Sequence, residues 1–109
     1  MRSLELYCNG VITGVLTEID RANYVFRYDE GYFKDPAGAA ISLTLPKTRQ
    51  EYSSPILFPF FFNMLSEGVN RDLQCRMLKI DKNDHFGLLM ATAQYNTIGA
   101  ITVKPLINA

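Results

Sequence analysis

The chain has 109 residues, 48% of them hydrophobic and 20% charged, a balance that supports one domain with a packed core, spanning 1–109, and excludes a disordered tail. Eleven lysines and arginines offset eleven aspartates and glutamates, so no global positive field exists to hold a phosphate backbone. Zero net charge with seven phenylalanines and six tyrosines also suits a chain that lives in a complex.

Leu4-Glu5-Leu6-Tyr7-Cys8 and Val11-Ile12-Thr13-Gly14-Val15-Leu16 flank Asn9-Gly10, a dipeptide that tolerates the two positive-φ positions of a type I′ turn. A two-residue loop predicts a hairpin with Cys8 opposite Val11, Leu6 opposite Thr13 and Leu4 opposite Val15. Tyr7 and Ile12 then share the reverse face, and apolar residues on both faces predict cover on both. Asn23 to Tyr28 is aromatic and β-branched and predicts a third antiparallel strand. Asp29-Glu30-Gly31-Tyr32-Phe33 predicts one helical turn before a loop.

Ile41-Ser42-Leu43-Thr44-Leu45 alternates cleanly before Pro46, which predicts a fourth strand, and Lys47 to Ser54 reads as a polar connection. Ser54-Pro55 offers a capping hydroxyl ahead of a first-turn proline, but Pro59 confines the regular helical turns to Pro59 through about Leu65. After Ser66-Glu67-Gly68, the spacing of Val69, Leu73, Arg76-Met77 and Ile80 predicts a second helix. Asp84 then caps a third, with Phe86, Leu89, Met90 and Ala93 on one face. Asn96-Thr97 turns the chain into a last strand, Gly99 to Val103, closed by Pro105. The class is α+β: an antiparallel meander or partly closed sheet of about five strands packed with three helices.

Little in the chain points to chemistry. Two distant cysteines, Cys8 and Cys75, and one histidine fall short of a structural zinc set, so no metal and no cofactor is expected. No GxxxxGK[ST] or GxGxxG phosphate loop occurs. His85 beside Asp84 reads as a helix start, and a hydrolase built on Cys75 and His85 is the enzyme alternative, with nothing in the spacing to bring the pair together. Arg71, Arg76 and Lys79 mark a helix side diluted by Asp72 and Asp81, which reads as a solvated surface. With no signal-like start the expectation is a cytoplasmic chain with reduced thiols, and no apolar run approaches the roughly 20 residues of a membrane span.

The exception is Phe58-Pro59-Phe60-Phe61-Phe62-Asn63-Met64-Leu65. Consecutive helical positions step by about 100°, so three adjacent phenylalanines cannot all face one core. Either the helix is packed on several sides, or Phe61 or Phe62 with Met64 and Leu65 forms an apolar protrusion that enters a groove on a partner.

Taken together, several segments resemble the N-terminal subdomain of HipA-type kinases, the toxins of bacterial toxin-antitoxin modules. They are Gly14-Val15-Leu16, Tyr24-Val25-Phe26-Arg27-Tyr28, Ala40 to Pro46, Phe61-Phe62-Asn63-Met64-Leu65-Ser66-Glu67-Gly68, Asp84 to Leu89 and Gly99 to Val103. Met64 stands where the family usually has leucine and Ser66 where it has proline.

In full-length HipA-like proteins this unit precedes the kinase machinery, and the chain ends before any of it, so the expectation is a protein that is not an enzyme. A separately encoded subdomain is similar to the HipS-type antitoxins of three-gene HipB-HipS-HipT modules. The resemblance implies a HipA-like kinase toxin (HipT) as partner and a HipB-like DNA-binding protein reached only through the complex, with no direct nucleic acid and no membrane. It also implies contact near the kinase active site through Phe61, Phe62, Asn63, Met64, Leu65, Ser66 and Glu67. The alternative is a non-inhibitory subunit that completes a split kinase and bridges it to the HipB-like protein.

Overall fold

The computed structural model describes residues 2–65, 76–77, 79–81, 83–91, 97–98 and 101–106. The strands are β1 (Arg2–Cys8), β2 (Val11–Asp20), β3 (Asn23–Tyr28), β4 (Glu51–Ser54), β5 (Thr97–Ile98) and β6 (Ile101–Leu106). The helices are α1 (Glu30–Lys34), α2 (Pro59–Phe62) and α3 (His85–Ala91). The strands form one antiparallel sheet in the order β4-β3-β2-β1-β6-β5, so the α+β class is as expected, with the two-residue β5 added to the sheet. The predicted second helix falls largely outside the described residues.

The opening hairpin turns at Asn9 (φ 51°) and Gly10 (φ 82°), the double positive φ that a type I′ turn demands. Cys8 faces Val11 as predicted, but the register slips between Leu6 and Tyr7, so Leu6 pairs with Gly14 and Leu4 with Leu16. The extra residue is Thr13, whose carbonyl accepts the Asp29 amide at 2.8 Å. A one-residue slip exchanges the faces, and here it turns Leu16 into the core in place of Val15. Gly14 suits that position because a Cβ there would lie 2.8 Å from the Phe26 ring and 2.6 Å from the Arg27 carbonyl oxygen. Cover on both faces is not observed among the described residues: Glu5, Tyr7, Val15 and Val25 on the reverse face are all partly exposed.

The core side carries Leu4 and Leu6 of β1, Leu16 of β2, Phe26 and Tyr28 of β3, and Ile101 and Val103 of β6. Leu57, Phe58, Phe61, Met64 and Leu65 around α2, with Phe86, Leu88 and Leu89 of α3, close over it. Asp29 caps α1 through a bond accepted from the Tyr32 amide, as the predicted helical turn requires.

Two expectations are exchanged. Residues 41–45 are not a strand, and the supposed connection contains one, since β4 pairs with β3 from Tyr24↔Ser54 to Arg27↔Glu51. The buried Tyr28 hydroxyl explains the swap. It donates to the Leu45 carbonyl and accepts the Ile41 amide at 3.1 Å, which folds residues 41–45 back on themselves. Ser42 tightens the turn by accepting the Thr44 amide on its hydroxyl and the Leu45 amide on its carbonyl. Leu43 is left fully exposed. The last strand also differs from expectation, because β6 runs through Pro105 to Leu106 instead of closing before the proline. At Pro105 its described neighbour is β1 alone, and an edge position of that kind tolerates a missing N–H.

These registers define two ends of the sheet, about 20 Å apart at the rise of an extended strand. At one end lie Arg2, Glu18, Tyr24, Ser54 and Leu106; at the other lie the Asn9-Gly10 turn, Tyr28, Glu51 and Ile101. Residues 29–50 leave and rejoin the sheet at the second end, whereas the chain toward α2 leaves from Ser54 at the first.

Candidate functional site

Phe58 is the N-cap residue of α2 and Pro59 occupies its first turn, where a missing N–H costs nothing. Three-residue turns carry the chain on to Leu65, with Met64 N–H donating to the Phe61 carbonyl and Leu65 N–H to Phe62, both at 3.1 Å. The helix starts at the predicted Pro59 but ends at Phe62, three residues short of the predicted Leu65, with turns covering the difference.

The three rings fan as their spacing dictates. Phe61 is fully buried against Phe26 (5.7 Å between centroids), Phe58 (6.0 Å) and Phe60 (5.2 Å). Phe60 is half-buried along that cluster. Phe62 turns toward α3 and meets the His85 ring edge-on at 4.9 Å. Met64 and Leu65 are 7% and 4% exposed, so they and Phe61 are core residues and do not form the expected protrusion. A short helix with a buried sheet face on one side leaves them no other way to escape water. Asn63 is exposed, and Ser66 and Glu67 lie outside the described residues.

What α2 presents outward is a cleft of about 390 Å³ lined by Ile56, Leu57, Pro59, Phe62, Asn63 and His85. Ile56 is 65% exposed, a large aliphatic side chain in water beside a half-buried aromatic ring. Ile56 and His85 were not anticipated as part of this surface. Ile56 sits unremarked in an apolar run, and His85 reaches Phe62 only through the fold.

His85 is placed by a charge network at the same end of the sheet. The Arg2 guanidinium donates through Nε to Glu18 Oε1 at 2.8 Å, and through Nη2 and Nη1 to the two Asp84 oxygens at 2.8 and 3.1 Å. It also lies over the Phe86 ring, 5.3 Å from its centroid. Asp84 caps α3 by accepting the Gly87 amide at 3.0 Å, so the residue before His85 is held from two sides. A Cβ on Gly87 would lie 2.2 Å from an Asp84 carboxylate oxygen, so residue 87 must be glycine for the clamp to close.

The hydrogen bonds from Arg2 hold the Asp84 carboxyl below the usual carboxylate range, against partial burial, and the pairing with Asp84 in turn raises Arg2. Beside the clamp, a smaller polar hollow is lined by Glu18, Arg21, Tyr24, Asp81, Asn83 and Asp84.

Cys8 is half-buried and Cys75 lies outside the described residues, as does Arg71, while Arg76 and Lys79 are exposed. No group of three or more metal-ligating side chains occurs among the described residues, and none of the described helices is long and apolar enough to cross a membrane.

Comparison with known proteins gives this fold a context. An uncharacterized protein of Haemophilus influenzae is 28% identical over 104 residues, covering 95% of this chain and 92% of that protein. The putative kinase Y4mE of Sinorhizobium fredii is 28% identical over 89 residues, 82% of this chain but 21% of the kinase. A solved structure described as the N-terminal domain of HipA toxin shares the fold, with a TM-score of 0.73 and 24% identity over 100% of this chain and 96% of that one. The family model for the HipA N-terminal domain matches residues 4–104, and the chain belongs to that family.

Proposed function

We propose that this protein is a HipS-type antitoxin that binds a HipA-like kinase toxin (HipT) and neutralises it by contact near the kinase active site, without catalysing a reaction itself. The observation that carries this reading is a difference in context. The same unit makes up 92% of one relative and 21% of a putative kinase. On this reading the unit carries a surface shaped for a kinase, whether it stands in the same chain or in another. A unit that meets a kinase in another chain has no tether to supply an effective concentration on the order of millimolar, so on this reading binding rests on the contacts themselves.

The contact segment runs from Phe61 to Glu67. Phe61, Met64 and Leu65 anchor it in the core, Asn63 is exposed, and the half-buried Phe62 lines the cleft beside His85. Occlusion there would disturb the alignment of nucleotide and substrate on which phosphoryl transfer depends. The test mixes the purified chain with a HipA-like kinase lacking its own N-terminal unit and measures complex formation and autophosphorylation. A complex with autophosphorylation abolished is expected. A complex that stays fully active would make the chain a completing subunit that bridges to a HipB-like protein, and no complex would overturn the reading.

A further inference from the structure

We propose that the end of the sheet carrying Leu106 is the surface that meets the kinase, with Ile56, Phe62 and Asn63 as its contact residues. This rests on the reading above and specifies its interface. In relatives where this unit is the N-terminal domain of a longer protein, the polypeptide continues beyond it. In this fold the last strand, β6, runs toward the Arg2 end and finishes with Leu106 opposite Ser3. The remainder of a fused relative therefore departs from this end, about 20 Å of strand away from the Asn9-Gly10 turn.

Contacts run without a break from that exit to the cleft. Arg2, next to Ser3, grips Asp84; Asp84 precedes His85; and the His85 ring packs on Phe62. Ile56 completes the lip of the cleft at 65% exposure. An aromatic ring and a large aliphatic side chain around a concave apolar site, with an exposed amide at its edge, have the composition of a protein-protein anchor point. Of the other large apolar side chains exposed among the described residues, Leu43 is the most exposed, at 100%, but it stands on residues 29–50 at the opposite end, where that segment both leaves and rejoins the sheet.

The experiment measures affinity for a HipA-like kinase lacking its N-terminal unit, using the full chain and the variants Ile56→Ala, Asn63→Ala and Leu43→Ala. All three sites are exposed, so each variant is checked for an unchanged melting temperature. Ile56→Ala and Asn63→Ala should each weaken the complex about tenfold or more, and Leu43→Ala should stay within about twofold, the contrast that separates interface anchors from neutral surface. A complex that ignores Ile56 and Asn63, or one that depends on Leu43 instead, overturns this surface and leaves the antitoxin reading standing. Failure of the unaltered chain to bind overturns both.

Discussion

The two ends of the sheet are fastened by different chemistry. At the Arg2 end one guanidinium bridges Glu18 and Asp84, joining residues 82 positions apart. At the opposite end side chains bond to backbone carbonyls instead: Tyr28 donates to the Leu45 carbonyl and Tyr32 to the Ala39 carbonyl, 17 and 7 positions away, and the Lys47 ammonium donates to the carbonyls of Asp35 and Gly38. An ionic clamp can hold distant elements in register, but it titrates. A tyrosine bonded to backbone carbonyls fixes a nearby loop and, with burial pushing the Tyr28 hydroxyl further above its ordinary range, stays protonated at any physiological pH. The interaction surface inferred here lies on the end that titrates.

The largest expected effect is on what both ends share. Phe61 is fully buried against Phe26 and Phe58, so Phe61→Ala should cost about 3–5 kcal/mol. At about 4–8 °C per kcal/mol for a domain of this size, calorimetry should show a fall of well over 10 °C, in one transition that takes both ends together. A small shift would mean that the ends are stabilised independently.

Tyr28→Phe isolates the tyrosine-braced end. It leaves the buried Leu45 carbonyl and the Ile41 amide without their side-chain partner, for about 1–3 kcal/mol. The loss should be the same at about pH 4 and pH 8, because no group in that pair titrates there.

Arg2→Met isolates the charged end. It leaves Glu18, 8% exposed, beside Asp84 with no shared cation, at about 1–2 kcal/mol once the 35% exposure of the Arg2 side chain is allowed for. The pH dependence has a definite sign. The Asp84 pKa is depressed in the folded chain, so its contribution is complete above the ordinary carboxylate range and is lost as pH falls through the depressed folded value. Thermal melts from about pH 6 downward should therefore fall more steeply for the unaltered chain than for Arg2→Met. Equal slopes would show that the clamp adds nothing to acid stability.

The smallest effect should come from the exposed Lys34–Glu30 pair on α1, where Lys34→Ala should change stability by less than about 0.5 kcal/mol. A larger change would mean that α1 matters to the tyrosine-braced loop beyond its surface charges.

Much of the architecture was legible because its signals are local. Asn9-Gly10 marks the hairpin turn, Asp29 and Asp84 mark helix starts, Pro59 marks the first turn of α2, and the aromatic run 23–28 is β3. The candidate site was half legible. Three adjacent phenylalanines guarantee divergent rings, but their spacing does not say that Phe61 points inward and Phe62 toward His85. Residues 41–45 misled for a related reason, since their alternation suits a strand and the hydroxyl that bends them belongs to Tyr28.

The sequence by itself determined the class of fold, the Asn9-Gly10 turn, the caps at Asp29 and Asp84, and the family to which the chain belongs, since each depends on residue types within a few positions of one another or on a pattern carried by the whole chain. Only the tertiary structure decided the slip at Thr13, the choice of residues 51–54 over 41–45 as the neighbour of β3, and the meeting of Arg2 with Asp84. Those outcomes depend on which distant partner satisfies a buried hydroxyl, carboxylate or ring. That competition is settled only when all the candidates are packed against the same sheet.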